Sequence, residues 1–484
     1  MLQSIEQQIW TNAFDAPDKV ALRSGKRNVT YNELCERIYA AKSLFEGLDY
    51  YKSGSTIIIA AGKQIGFAFA YFGAHLAKLK VVPIDSETNK TRFNLIADAV
   101  SPICIIGFDK QDTMIPKLSL KDFEDIDGVY CDDVKEFPAM SSVADILFTT
   151  GTTGTPKGVP LTFNNEAAAA RNINEFIRNT SDDVELLALP ISHSFGLGRM
   201  RCCLSKGSTL ILQGNFVNVK RIFRIIAEDR VTGFTMVPAS WRYLKKMSGI
   251  ELAKYSSQIK YIEMGSAHFS AEDKKELAEL FPDTRVAMHY GLTEASRSAF
   301  MEFHDDGAHL DSVGRPSPNT DIRVFDENGN VMPCGIEGEI CVKGEHVTSG
   351  YLDTSLENVF WGDYFRTGDW GTKDKSGYIY LKSRKKELIN VGGKKVSPTE
   401  VEDQLMDNPD ISDCACIATP DPNDVLGEVV KAFIVKREDS DVTFEAISKF
   451  LTGKLESYKM PVVYAWIKEI PRTQNGKIQR NLLS

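Results

Sequence analysis

The chain has 484 residues, too many for one ordinary core, so a large unit plus a smaller one is the starting expectation. Hydrophobic residues make up 43% and charged residues 25%, an ordinary balance for a globular chain. The net charge of −9 excludes a general nucleic-acid binder, which needs a basic face to meet phosphates.

The cysteines show no CxxC pair and no Cys/His ligand spacing. Cys202, Cys203, Cys414 and Cys416 lie in apolar surroundings and read as small buried hydrophobes. The start, MLQSIEQQIW, lacks the basic residues and apolar core of a signal peptide. No stretch reaches the roughly 18 uninterrupted apolar residues of a membrane span. The expected compartment is the reducing cytoplasm.

From the start, short apolar runs alternate with helical patterns. Residues 55–61 (STIIIAA) read as a buried strand, followed by a helix-like stretch through Ala74 and a strand over 80–84. The strand signal repeats over 103–107, and the alternation predicts parallel sheets covered by helices. Ser270 is placed to cap a helix that stops before Pro282. After about residue 310 the texture changes. Strands over 321–325 and from Val331 flank the turn pair Asn328-Gly329, and 338–343 reads as another strand. This predicts a β-rich subdomain closing the large unit.

Past Ser383-Arg384 a small α/β unit begins. Ser397-Pro398-Thr399-Glu400 reads as a capping box with Pro398 at the first helical position. Strands are expected over 413–418 and 429–435, and a helix over 444–454. The predicted fold class is therefore α/β: a large domain, 1–383, of two parallel-type sheets with helices plus the β-rich subdomain, then a small α/β domain over 387–484.

The strongest local signal is Leu147-Phe-Thr-Thr-Gly-Thr-Thr-Gly-Thr-Pro-Lys-Gly158. A strand there gives way to glycines and hydroxyls ending in a lysine. Gly151, Gly154 and Gly158 let backbone N–H groups approach an anion. Thr149, Thr150, Thr152, Thr153 and Thr155 add hydroxyl donors, and Lys157 adds a positive charge. This is a phosphate-binding design, without the G-x-x-x-x-G-K-[ST] spacing of P-loop enzymes. The competing reading, a flexible surface loop, does not explain so biased a run.

Four more motifs follow: Tyr290-Gly-Leu-Thr-Glu294, Phe365-Arg-Thr-Gly-Asp369, Ser383-Arg384-Lys385-Lys386-Glu387 and Pro471-Arg-Thr-Gln-Asn-Gly-Lys477. Each has a bland reading by itself. The first is equally a turn with a core tyrosine, Asp369 a loop cap after Gly368, and Lys477 a solvated lysine near the end. Taken in order over nearly the whole chain, the five motifs resemble those of the adenylate-forming superfamily. That family comprises acyl-CoA synthetases, adenylation domains of peptide synthetases, and firefly luciferase. Weaker echoes are Thr30-Tyr31 with Glu33-Leu34, and Val82-Pro83-Ile84-Asp85.

The resemblance implies a role for each motif. Thr149 to Lys157 hold the ATP phosphates, and Tyr290 with Gly291 meets adenine over a floor made by Gly265, Ser266 and Ala267. Thr293 holds a phosphate oxygen, while Glu294 and Thr150 hold Mg²⁺, a hard cation suited to oxygen ligands. Asp369 accepts from the ribose hydroxyls and Arg384 adds a donor. Residues 384–386 form a hinge on Lys386, making the C-terminal domain mobile, and Lys477 bridges the carboxylate and phosphate oxygens during adenylation.

Leu189-Pro-Ile-Ser-His193-Ser-Phe-Gly196 resembles the aromatic/His motif of acyl- and aryl-CoA ligases, so His193 lines the carboxylate channel, with Trp241 and Gly291 as pocket walls. The segment offers no aspartate to pair with an α-ammonium, which disfavours an amino acid. His268 stands where many relatives carry proline, and Met288-His289 replaces the frequent Gln-Gly. Arg199 and Arg201 either pair with a second carboxylate on the substrate or face outward from a helix, and the outward reading is favoured because arginine is rarely fully buried.

The implied function is activation of an organic acid, fatty or aromatic, to its acyl-AMP with release of pyrophosphate, then transfer to a thiol. Gly392, Gly393 and the paired lysines Lys394-Lys395 resemble the turn beside a pantetheine tunnel and suit the phosphates of CoA. A carrier protein's phosphopantetheine is the alternative acceptor. A non-catalytic nucleotide-binding protein of the same fold is the reading from another class. The enzyme is expected to act on a small-molecule acid as a monomer or homodimer, without nucleic acid.

Overall fold

A computed structural model of the chain describes residues 2–109, 111–129, 134, 136–149, 156–267, 269–352, 355–384, 387–392, 394–423, 425–473 and 476–483. They divide into two compact units: Met1–Asp321 with Lys343–Phe360, and Ile322–Val342 with Trp361–Ser484. The β-rich region read as closing the large unit thus groups mainly with the C-terminal residues.

The first unit holds two sheets among the described residues. In the six-stranded one, Lys117–Leu118, Cys104–Ile106, Thr56–Ala61, Lys80–Asp85 and Val143–Thr149 lie side by side and parallel. Lys157–Thr162 closes that sheet antiparallel. All six residues of Thr56–Ala61 are buried, which is why the run is continuously apolar rather than alternating.

In the nine-stranded sheet, Arg285–Tyr290, Tyr261–Met264, Gly233–Met236, Val184–Leu187, Thr209–Leu212 and Val20–Ser24 form a parallel centre. Helix Ile65–Leu76 is predominantly apolar and buried throughout, because it packs against strands of both sheets. Helix Ala271–Leu280 starts where expected, the Ser270 hydroxyl accepting from the Asp273 N–H at 3.1 Å.

Helix Ser194–Lys206 corrects the reading of its two arginines. Arg199 is 0% exposed and Arg201 5%, so neither faces outward. Arg199 donates to both Glu185 oxygens and to Asn179, and its remaining nitrogen lies 3.4 Å from Glu263. Arg201 donates to Asp145 and to the Tyr71 hydroxyl, and pairs with Glu166 at 2.9 Å. The usual reluctance of arginine to be buried is overcome because each guanidinium is paired with protein carboxylates, Arg199 in fork geometry on Glu185 and Arg201 through one nitrogen to Asp145 and Glu166. Both are thereby spent, and neither waits for a substrate carboxylate.

His75 extends the second cluster, with Nδ1 2.8 Å from Glu6 and Nε2 3.2 Å from Asp145. Burial by itself would lower its pKa, but hydrogen bonds to Asp145 and Glu6, and their charges, raise it to about 10.

The second unit is built from strands Gly338–Gly344, Tyr364–Lys373 and Ile379–Arg384, then hairpin Ile389–Val391/Lys394–Val396, and a three-stranded sheet. Ile411–Pro420 pairs antiparallel with Glu428–Lys436, which pairs parallel with Val463–Trp466. Helix Pro398–Met406 has Pro398 at its first position, and the Ser397 hydroxyl accepts from the Glu400 N–H. The reciprocal half of the expected capping box is replaced: the Glu400 carboxylate accepts from Lys459 at 2.7 Å. No helix among the described residues is long and apolar enough to cross a membrane.

Two consequences are measurable. Arg199→Met strips the charge partner from buried Glu185, which costs about 3–5 kcal/mol. Urea unfolding should show that loss, and a change under about 1 kcal/mol would contradict the buried pair. His75 is protonated in the fold at pH values where the free imidazole, near 6.5, is not. Its stabilisation is therefore complete below about pH 6.5 and is lost as pH rises through about 10. Thermal unfolding from pH 6 to 10 should fall more steeply for the wild type than for His75→Gln, and parallel curves would refute the assignment.

Candidate active site

The parallel neighbours Arg285–Tyr290, Tyr261–Met264, Gly233–Met236 and Val184–Leu187 all end at one edge of the nine-stranded sheet. From that edge emerge Gly291 to Glu294, Gly265 to Ala267, Pro238, and the segment carrying His193. Ligands of open α/β sheets bind at this carboxyl edge. The sequence-predicted adenine floor, pocket and channel residues therefore leave the sheet on the same side.

Local sterics explain the glycines there. A side chain on Gly291 would meet the Ala295 carbonyl at 2.9 Å inside the tight 291–297 turn, and one on Gly265 would collide with the His289 ring. Ser266 adopts φ +75, an uncommon conformation for a residue with a Cβ. His268 lies outside the described residues.

His289, the departure from Gln-Gly, has a partner of its own. Its Nδ1 is 2.7 Å from Glu263, and Phe195 stands edge-on to its ring at 4.5 Å. Burial holds its pKa below the ordinary value, against the raising pull of Glu263. Burial works against charge on Glu263 too, but Arg297, His289 and Arg199 hold its pKa at about 2. Arg297 also donates to the carbonyls of Ser194 and Phe195, each at 2.9 Å. It thus ties strand Tyr261–Met264 to the start of helix Ser194–Lys206, whose N-cap residue is His193. No local pattern in the sequence marked Arg297 for this task. Trp241 is 1% exposed within the apolar core, and its indole N–H has no hydrogen-bond partner among the described residues.

Thr149 ends strand Val143–Thr149 and faces Lys157, the first residue of Lys157–Thr162. Lys157 therefore sits on a strand rather than in the loop. Thr150, Gly151, Thr152, Thr153, Gly154 and Thr155 lie outside the described residues. Gly158 serves packing: a Cβ there would sit 2.7 Å from the Leu352 side chain, whose backbone N–H donates to the Gly158 carbonyl.

The neighbouring residue, Tyr351, joins two of the motifs. Its hydroxyl donates to Glu294 Oε1 at 2.8 Å, and the Lys157 ammonium lies 5.1 Å from its ring centroid. Glu294 is only 8% exposed, so its position is set by this contact and by its carbonyl accepting from Thr348. Sequence reading missed Tyr351, which carries no periodicity or motif signal of its own. Thr293 borders an enclosed cavity of about 20 Å³ shared with Ser194, Glu166, Arg201 and His346, room for about one water.

In the second unit Asp369 and Arg384 face each other on adjacent strands, and Arg384 Nε is 2.8 Å from Asp369 Oδ1. The Thr367 hydroxyl accepts from the Asp369 N–H at 3.0 Å. Gly392 turns the hairpin Ile389–Val391/Lys394–Val396 at φ +56. Lys477 is exposed, in a small hairpin closed by the bridge Arg472↔Ile478. Lys385, Lys386 and Gly393 lie outside the described residues.

The chain matches the family model described as AMP-binding enzyme over residues 9–352, and that for the AMP-binding enzyme C-terminal domain over 400–477. The chain belongs to the AMP-binding enzyme family. It is an AMP-forming acid–thiol ligase. A 2-succinylbenzoate–CoA ligase of Staphylococcus aureus (strain MSSA476) is 33% identical over 349 residues, 71% of this chain and 67% of that one. An oxalate–CoA ligase of Arabidopsis thaliana is 27% identical over 497 residues, 97% and 95% of the two chains. In fold it is similar to o-succinylbenzoate CoA synthetase (MenE) from Bacillus subtilis in complex with the acyl-adenylate OSB-AMP. The TM-score is 0.88 at 23% identity, over 100% of this chain and 98% of that one.

The donor groups of this AMP-binding enzyme fit a magnesium nucleotide. Glu294 is a carboxylate oxygen donor held by a neutral hydroxyl, which leaves its charge for a hard cation. Asp369 offers an acceptor and Arg384 a donor, the two capacities that a hydroxyl group matches.

Tyr351→Phe removes the hydroxyl that fixes Glu294. A hydrogen bond to a charged group is worth about 1.5–3 kcal/mol, so kcat/KM for Mg-ATP in pyrophosphate exchange should fall about tenfold or more. An unchanged magnesium dependence would remove Tyr351 from the site.

Proposed function

We propose that the enzyme activates an organic carboxylic acid with Mg-ATP and transfers the acyl group to CoA. The observation that carries this reading is the chain Lys157–Tyr351–Glu294, which links the strand leaving the phosphate loop to the motif carboxylate. It sets a positive charge and a hard oxygen donor at the two carboxyl edges from which the phosphate loop and the adenine motif emerge.

In the first half-reaction the substrate carboxylate attacks the α-phosphorus of ATP. A C–O–P linkage forms as the bond to pyrophosphate breaks. Thr149 to Lys157 hold the outer phosphates, Thr293 and Glu294 hold phosphate and Mg²⁺, and Lys477 meets the charge growing on the α-phosphate. The protein's contribution is position and charge rather than covalent chemistry. In the second half a pivot at 384–386 withdraws Lys477, and the thiol attacks the acyl carbon. The C–S bond forms, AMP leaves, and the thiol proton passes to solvent. Asp369 and Arg384 keep the ribose through both halves, and Gly392 with Gly393 borders the thiol's approach.

The acid carries no α-ammonium. Segment 189–196 has no carboxylate, and the nearby Glu263 and Glu185 are neutralised by Arg297 and Arg199. His193, at the head of its helix, borders the acyl channel with Gly291 and Trp241. CoA as acceptor is supported by the named relatives, which are CoA ligases. The cytoplasm is the proposed compartment.

Lys477→Ala should slow pyrophosphate exchange at least about a hundredfold, as expected for an aligned charge at a transition state. A wild-type exchange rate would sink the mechanism. Mass spectrometry of products formed from a panel of acids with ATP and CoA should reveal an acyl-CoA. Pyrophosphate exchange without any acyl-CoA would transfer the second half-reaction to a carrier-protein thiol.

A further inference from the structure

Hydrogen bonds join the described residues of the lysine loop. The Thr473 N–H donates to the Lys477 carbonyl at 2.8 Å, the Lys477 N–H to the Thr473 hydroxyl at 3.2 Å, and the Gln479 N–H to the Pro471 carbonyl at 2.8 Å. Gly476 turns the loop at φ +80. Backbone bonds so exposed hold a shape locally but do not fix where the loop points.

Two arginines hold its ends. Arg472 donates to the Gly476 carbonyl at 3.0 Å and to Asp413 at 2.7 Å, with both side chains about one-third exposed. An exposed pair of that kind contributes little. Arg480 is different. It is 14% exposed, and its fork reaches Glu402 through two nitrogens, at 2.9 and 3.0 Å, and Glu387 through Nε at 3.0 Å. Glu402, in helix Pro398–Met406, also accepts from the Cys416 N–H at 2.6 Å and so is fixed to strand Ile411–Pro420. Glu387 is the first described residue after the proposed pivot. One side chain therefore clamps the end of the lysine loop to both the body of the sheet and the chain leaving the pivot.

We propose that Arg480 is a positioning residue for Lys477, making the lysine loop and the segment after the pivot one rigid piece. This rests on the reading of Lys477 as the cation of the adenylation step. Rotation at the pivot then carries Lys477 to the α-phosphate without slack, and only the first half-reaction depends on the clamp. Arginine is required because lysine, a single point charge, cannot bridge Glu402 and Glu387 together.

The experiment compares R480K, R480Q, E387Q and their double variants with Lys477→Ala in both half-reactions. Pyrophosphate exchange should fall about 10- to 100-fold in R480Q and several-fold in R480K, with KM for ATP little changed, since a misplacement near 1 Å costs about that much. Thioester formation from synthetic acyl-adenylate and CoA should stay within about twofold. R480Q and E387Q should be non-additive, as expected for two ends of one contact. Amide hydrogen exchange at 473 and 476–479 should quicken about tenfold in R480Q.

A brace that serves folding alone would lower both half-reactions together and leave loop exchange tracking the melting temperature, and this would overturn the proposal. If R480Q does not fold, R480K and E387Q carry the same comparison. A fully active Lys477→Ala would fell the reading of Lys477 and this inference with it. A slow Lys477→Ala beside wild-type half-reaction ratios in R480K and E387Q would fell the inference only.

Discussion

Two arginines on one helix set the register of the first unit. Residues i and i+2 of an α-helix point about 200° apart, so Arg199 and Arg201 of Ser194–Lys206 reach in opposite directions. Arg199 grips Glu185 and Glu263, both on the nine-stranded sheet, while Arg201 grips Asp145 on the six-stranded sheet. Apolar packing tolerates small slips between layers, and a desolvated guanidinium–carboxylate fork does not. The strands so gripped are the ones that run into the site: Val143–Thr149 into the phosphate loop, Val184–Leu187 toward His193, and Tyr261–Met264 into Gly265. The carboxyl edges of two sheets are thereby held in one alignment. The Lys157–Tyr351–Glu294 chain spans the gap between those edges and depends on that alignment.

The fold was legible wherever one segment carries its own signal. Thr56–Ala61 reads as a doubly covered strand because Ile57 to Ala61 form an unbroken apolar run, and Ser270 reads as a cap because its partner lies three residues on. The motif glycines and hydroxyls stood out by composition. What the sequence hid are contacts between distant residues. Arg199 and Arg201 look like ordinary solvated helix charges until Glu185, Glu263, Asp145 and Glu166 come in from four other segments. Tyr351 is 57 residues from Glu294, and Arg297 is 103 from Ser194. Even the capping box at Ser397 was half right, since Lys459 competes for Glu400 from elsewhere in the fold.

Glycine was legible in position but not always in purpose. Gly158 belongs to the phosphate-loop motif by its spacing, yet the space above it is filled by Leu352. Gly265 belongs to the nucleotide floor by resemblance, yet the group pressed against it is His289. Where relatives frequently carry a small residue, this chain places a ring, anchors it on Glu263 and caps it with Phe195. The same carboxylate then serves Arg297, so the wall beside Gly265 and the seat of His193 are fixed by one buried charge.

The second unit solves an opposite problem. In the proposed role Lys477 meets a phosphate and has to stay reachable until the reaction, so it cannot owe its placement to burial. Thr473, Gly476 and Ile478 beside it are partly exposed, and their hydrogen bonds compete with water. Rigidity has to enter from a charged side chain that is largely shielded and paired, and Arg480, 14% exposed, is that residue. Two residues lie between Lys477 and Arg480, short enough for the backbone to transmit a fixed direction and long enough to keep Lys477 exposed. The buried ion pairs of the first unit and the shielded clamp of the second follow one rule: the desolvation cost of each is accepted where a strand or loop needs a single orientation.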